Sequence, residues 1–155
     1  MIIRKAKKED IPQIKRIDRF GEQLNRYTGL DKLDANFKPK RGERGYYEKF
    51  ISGKKKWCYV AEENGRILGF ILFNIEKRQR YFKIKRIGYI DLVYTDKKSR
   101  GRGISKLLVD KAREIFKKEG IKHLKLSVHA ENPAHTFWKK IGFKDYRVDM
   151  FKVIK

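Results

Sequence analysis

The chain has 155 residues, of which 40 % are hydrophobic and 13 % aromatic, enough to build one domain around its own core. Lysine and arginine number 41 against 19 acids, a formal charge of +22. That excess favours anions and opposes encounter with polycationic acceptors such as polyamines or histone-like tails. One cysteine, Cys58, excludes an intrachain disulfide and fits a reducing compartment; between Trp57 and Tyr59 it is expected in the core. No apolar run is long enough for a membrane span, and MIIRKAKKEDIPQI is too charged for a signal peptide. The expectation is a single domain over 1–155, cytoplasmic, with no membrane partner.

Ile2 to Arg4 suggests a first strand. Glu9, Asp10 and Pro12 then mark a helix start, with Ile11, Ile14 and Ile17 on one face running to about Phe20. Gly21 to Gly45 is the least regular stretch; Tyr27, Leu30, Leu33 and Phe37 fit short helical pieces, and the basic segment Lys38 to Arg44 an exposed loop on the substrate side. Tyr46 to Ile51 adds a short helix. Trp57 to Ala61 predicts a strand, Asn64-Gly65 a hairpin turn, and Ile67 to Ile75 a central strand apolar on both faces. Glu76 to Lys85 is a basic connection containing Tyr81 and Phe82. Later, His123 to Val128 alternates as a strand, Asn132 to Trp138 forms a last helix, and Phe143 to Ile154 gives one or two closing strands.

The most informative stretch is Tyr89 to Phe116. An apolar strand carrying one carboxylate, Asp91, runs into Lys97, Lys98, Ser99, Arg100, Gly101, Arg102 and Gly103. From Ile104 the apolar residues Leu107, Leu108, Ala112, Ile115 and Phe116 fall at helical spacing, and Gly120 caps the helix. A strand that feeds glycines into a helix N-terminus makes an anion site. Free N–H groups point at the ligand, and the glycines let it approach.

These residues resemble a known family. Arg100-Gly101-Arg102-Gly103-Ile104-Ser105 is similar to the acyl-CoA loop of the GNAT N-acetyltransferases, with Ser105 where the family has Gly or Ala. The strand IDLVYT before it, the helix opened by Asn132 and the sequence Lys140-Ile141-Gly142-Phe143 fall in the family's order. The resemblance implies an α/β fold with a central mixed, mostly antiparallel sheet flanked by helices, and acetyl-CoA as cosubstrate without a metal. It implies pantetheine contacts from Val93, Tyr94 and Thr95. It implies pyrophosphate contacts from the N–H groups of Gly101, Arg102, Gly103, Ile104, Ser105 and Lys106, with charge from Arg100 and Arg102, and a cofactor contact from Asn132. The acceptor implied is an amine: a small molecule, an amino acid, or a peptide or protein N-terminus or lysine.

Acetyl transfer needs a neutral amine, a donor for the oxyanion, and favours a proton for the leaving thiolate. Asp91 matches a position where several GNAT members carry a glutamate that activates the amine. Alternation puts it on one face with Tyr89 and Val93. Two other roles stand beside that of base: anchoring the charged amine, or pairing with a lysine for structure. Trp138 occupies the position where many members carry a tyrosine acid, and indole cannot supply that proton. Tyr94 and Tyr146 are the substitutes, or the thiolate leaves unaided. His123, His129 and His135 do not have the spacing of a metal site. The alternative is a nucleic-acid- or ribosome-associated module on the same fold, motivated by the charge and by KRQRYFKIKR at Lys77 to Arg86. Monomer and homodimer both remain open.

Overall fold

The structure, a computed structural model, describes residues 1–27, 33–38, 40 and 42–155. Five strands form one sheet: β1 (Ile2–Lys5), β2 (Lys56–Glu63), β3 (Arg66–Lys77), β4 (Arg86–Thr95) and β5 (Leu124–Lys125), in that spatial order. The first three pairings are antiparallel, and β4–β5 is parallel. The helices are α1 (Ile11–Ile17), α2 (Phe20–Tyr27), α3 (Tyr46–Ser52), α4 (Ile104–Lys118) and α5 (Ala134–Lys140). This is the mixed, mostly antiparallel α/β sheet expected from the sequence.

β3 is the central strand because nothing in Ile67 to Asn74 tolerates water; all eight residues are buried. Its two faces serve two cores. On one, Ile71 and Phe73 pack with Ile90, Leu108, Ala112 and Phe116 beneath α4. On the other, Phe70 and Leu72 pack with Ile14, Ile17, Phe50, Cys58 and Val60 beneath α1 and α3. The β2–β3 hairpin turns at Asn64 (φ 51°) and Gly65 (φ 74°), the paired positive angles that this dipeptide supplies most cheaply. Asp10 closes the 3-10 turn Lys8–Asp10 that leads into α1 by accepting the Lys7 N–H at 2.7 Å, and the Arg4 guanidinium holds its carboxyl below the usual range. Cys58 is fully buried, as expected.

Three expectations need correction. The Ile11 helix does not run to Phe20: α1 stops at Ile17, and Asp18 accepts the Phe20 N–H to start α2. Of the helical pieces expected after Gly21, Tyr27 ends α2, Leu33 and Phe37 are exposed outside any helix, and Leu30 and Pro39 lie outside the described residues. The closing strands are absent. Only Leu124 and Lys125 of the His123–Val128 segment pair, and residues 144–155 are exposed and belong to no strand. Strand pattern was present there, but a strand needs a paired edge as well as alternation.

Aromatic packing holds the sheet to α4. Phe116, 1 % exposed, meets Phe73 edge-on at 5.1 Å and Trp57 at 6.5 Å. It fits because Gly88 has no side chain: a Cβ there would lie 2.8 Å from the Phe116 ring and 2.7 Å from Leu124. Phe116→Ala is expected to lower the unfolding free energy by about 3–5 kcal/mol, since the ring leaves a cavity bounded by rigid strands. Urea denaturation followed by tryptophan fluorescence measures it.

Candidate functional site

The site is built where β4 changes partners. β4 pairs β5 only at Gly88↔Leu124 and Tyr89↔Lys125, with the Gly88 N–H donating to the His123 carbonyl at 2.9 Å. From Ile90 to Thr95 its outer edge has no strand beside it among the described residues. The main chain of Val93, Tyr94 and Thr95 therefore offers hydrogen-bonding groups to an extended ligand, as β-augmentation uses a free edge.

At the end of this edge lies the glycine turn. Gly101 (φ 79°) and Gly103 (φ 73°) take left-handed angles, and a Cβ at either would point into open space. These angles turn the chain so that α4 starts at Ile104, directly after the strand. None of the N–H groups of Gly101 to Lys106 has an acceptor among the described residues; the first helical bond is donated by Leu107 to the Gly103 carbonyl at 3.1 Å. Ser105 departs from the family pattern usefully: its Oγ lies 2.9 Å from Thr95 Oγ1 and ties strand end to helix start. Arg100 has no ion-pair partner among the described residues, whereas Arg102 is gripped by Glu63 at 2.8 and 3.1 Å. The two arginines are thus not equivalent.

Asp91 sits in a β-bulge. The register passes from Leu72↔Leu92 to Phe73↔Ile90, so β4 carries one extra residue. This overturns the expectation that Tyr89, Asp91 and Val93 share a face. Val93 packs into the α4 core with Ile90, whereas Asp91 accepts a hydrogen bond from Asn74 Nδ2 at 2.6 Å on the α3 face. Register sets Lys56 beside Asn74, so Lys56, Asn74 and Asp91 form a row across three strands. Burial pushes the Asp91 carboxyl up to about 6, against the Asn74 hydrogen bond and the Lys56 charge, both of which favour ionisation.

Beside Asp91, through Tyr46, lies a group whose members stand far apart in the chain. Tyr46 and Tyr47 of α3, Tyr94 of β4 and Asp18 interact electrostatically, and burial raises all three phenols above their usual range. Tyr47 donates to Asp18, and Tyr94 donates to Gln23 of α2 at 2.7 Å. A lone Asn in the apolar run ILFNI was the one local hint, since a buried amide demands a partner.

The remaining candidates scatter. Asn132 Oδ1 accepts the Ala134 N–H at 2.9 Å, so that oxygen is used to start α5. Trp138 is 6 % exposed and packs against Phe137 and Phe143 in the α4 core. Tyr146 is 74 % exposed. His135 pairs with Asp145, and His129 lies against Tyr27 at 6.0 Å. The described residues contain no cluster of three or more His, Cys, Asp or Glu side chains able to hold a metal.

Comparison with known proteins agrees with this geometry. Residues 26–143 match the Acetyltransferase (GNAT) family. An uncharacterised N-acetyltransferase of Methanocaldococcus jannaschii is 33 % identical over 129 residues, 79 % of this chain and 53 % of that protein. The chain thus spans about half the length of that relative. N-alpha-acetyltransferase 30 of Schizosaccharomyces pombe is 26 % identical over 102 residues, 65 % of this chain and 66 % of that protein. Among solved structures, a predicted acetyltransferase with acetyl-CoA from Clostridium acetobutylicum superposes with a TM-score of 0.70 at 24 % identity, over 99 % of this chain and 95 % of that one. With the matched residues spanning β2 to β5, the glycine turn and α5, the chain belongs to the acetyltransferase (GNAT) family.

Proposed function

We propose that the protein transfers an acetyl group from acetyl-CoA to a primary amine by direct attack on the thioester. The observation that carries this reading is the run of free N–H groups at the Gly101–Lys106 turn, continuous with the open edge of β4. A pyrophosphate suits the first and an amide-bearing pantetheine arm the second. The solved relative with acetyl-CoA supports the choice of donor. The peptide N-terminus that the name of the fission-yeast relative implies is one acceptor of the right class.

The amine enters from the α3 face, where Asp91 and Asp18 give negative charge in a strongly basic protein. A carboxyl near 6 is ionised at neutral pH yet basic enough to take the amine's proton, directly or through water. An N–H on the open β4 edge stabilises the oxyanion. The Tyr94 hydroxyl is engaged by Gln23 and raised by burial, so it is a poor acid, and the moderately acidic CoA thiol leaves as thiolate.

One observation favours a second, non-catalytic contact with single-stranded nucleic acid. The β3–β4 connection stands at the far end of β4 from the glycine turn, about 30 Å away by strand rise. There Lys77, Arg78, Arg80, Lys83 and Lys122 have no acidic partner among the described residues, while Lys55 and Arg86 share Glu119. Tyr81 is 80 % exposed beside Phe82, and Arg78 covers the Phe82 ring at 3.7 Å. Lys85, Arg86, Lys122 and His123 line an adjacent cleft of about 260 Å³.

Three measurements test these readings. By calorimetry, CoA is expected to bind the wild type; Arg100→Ala weakens it roughly tenfold, Gly103→Glu abolishes it, and Arg102→Ala does less, since Glu63 already holds that side chain. Absence of CoA binding to the wild type ends the acetyltransferase reading.

In a thiol-release assay over a panel of amines and peptides, the rate should rise with pH through about 6 and then plateau until the acceptor's own ionisation intervenes. Asp91→Asn should remove that limb and lower the rate on the order of 100-fold. The same raised carboxyl makes ionised Asp91 unfavourable for folding. Stability should therefore fall as pH rises from about 4, the unfolded value, to about 6, and the Asn variant should not show this fall. Unchanged turnover in Asp91→Asn would leave the residue a structural role only.

Nucleic-acid binding is read from salt. Affinity for a single-stranded RNA should drop steeply between 50 and 200 mM salt, by about 10²-fold if the five free cations track phosphates. Tyr81→Ala with Arg80→Glu should weaken it, and saturating CoA should leave it unaffected. A flat salt response removes this contact.

A further inference from the structure

The turn Gly101-Arg102-Gly103 has one side chain by which it can be held, and the β2–β3 hairpin holds it. The two glycines take left-handed angles and offer no handle. Arg102 between them is gripped by Glu63 through both terminal nitrogens, at 2.8 and 3.1 Å. Glu63 is the last residue of β2, directly before the Asn64-Gly65 turn. Arg66, the first residue of β3, reaches the other end of the same segment and binds Asp96 at 2.7 Å. The main chain of Asp96 is fixed as well, its N–H donating to the Leu68 carbonyl at 2.8 Å.

Glu63 and Arg66 stand opposite each other in the ladder, where opposite charges ordinarily pair. They form no ion pair with each other; each crosses to the segment after β4 instead. The two pairs have opposite polarity. Exchanging their partners would set acid against acid and arginine against arginine, so the pairing admits one alignment. Apart from Arg102, Glu63 meets only the Met1 amine among the described residues, at 3.8 Å.

Charge alone gives no reason for Glu63. An acid beside a turn that takes a pyrophosphate opposes the ligand. Its exposed pair with Arg102 adds little to folding stability either. What the pair supplies is order. Glycines lose more conformational freedom on being fixed than any other residue, and a ligand that had to fix two of them would bind more weakly by that cost.

We infer that the hairpin tip is the positioning element of the cofactor turn: Glu63 and Arg66 set residues 96–106 so that the N–H groups converge before CoA arrives. The inference rests on the reading of acetyl-CoA as donor. Glu63 acts through Arg102, and Arg66 through Asp96.

Calorimetry with CoA separates positioning from simple attraction. Glu63→Gln and Asp96→Asn each make the protein more positive, so charge alone would tighten CoA. Positioning requires the reverse, and each variant should bind about fivefold more weakly than the wild type with unchanged circular dichroism. Arg102→Ala should lose a similar amount, and Glu63→Gln with Arg102→Ala no more than either alone, because one contact is lost in all three. In the CoA-free protein, backbone order parameters of Gly101 and Gly103 should be about 0.85 in the wild type and fall below about 0.6 in Glu63→Gln. Unchanged or tighter CoA binding by Glu63→Gln overturns the inference, tighter binding meaning that Glu63 withholds Arg102 from the phosphates. Additive losses in the double variant overturn it too. A wild type that binds no CoA sinks the donor reading instead, and the glycine order parameters then decide whether the hairpin holds the turn.

Discussion

β4 has neighbours on both edges for two residues and on one edge for the rest, and most of the molecule follows from that change. Gly88 permits the close approach of Phe116 and Leu124, which draws β5 against β4 at one point. The bulge at Asp91 comes two residues after the last β4–β5 pair and adds twist to the strand just where its partner is lost. The open edge then runs straight into the glycine turn. Had β5 stayed paired to Thr95, the main-chain groups that make the site would have been consumed by the sheet. The bulge has a second effect: it turns Asp91 to the α3 face while Val93 returns to the α4 core. Carboxylate and free edge are thus adjacent without competing for the same face.

Features held by local chemistry were readable from the sequence. Asn64-Gly65 is a hairpin turn because its two residues accept positive φ cheaply, and nothing distant had to agree. The Arg100–Ser105 turn, the α4 face and the burial of Cys58 were readable on the same terms. Asp91 was identified as a residue of interest, and it does lie on the Asn74 side with Tyr89, but Val93 was wrongly put on that face. A period-two count assumes an unbroken ladder, and one extra residue in Ile90-Asp91-Leu92 leaves no mark in composition. The Lys56–Asn74–Asp91 row spans three strands, so its members meet only once two registers are set. The tyrosines near Asp18 come from α3 and β4, separated in sequence by most of the sheet. The chain after α5 is the reverse case. Its strand pattern was legible, but whether it pairs is a matter of topology.

Charge is unevenly distributed across the molecule. Near the glycine turn some cations are matched, Arg66 with Asp96 and Arg102 with Glu63, whereas Lys97, Lys98 and Arg100 have no acidic partner among the described residues. At the opposite end Lys55 and Arg86 share Glu119, and Lys77, Arg78, Arg80, Lys83, Lys85 and Lys122 have no acidic partner among the described residues. Exposed pairs of this kind add little to stability, so the matching near the turn acts chiefly by holding Arg102 in place.

Cys58 lies fully buried in the middle of β2, and burial pushes its thiol up to about 12. In the folded protein it is neither a nucleophile nor a reachable target. Its side chain packs with Ile14, Ile17, Phe50 and Phe70 beneath α1 and α3, so that core must open before the sulfur is reached. The slow alkylation of this one sulfur under native conditions is therefore a built-in clock for opening of the core between the sheet and these two helices. Its rate reports the free energy of that opening without any label being introduced.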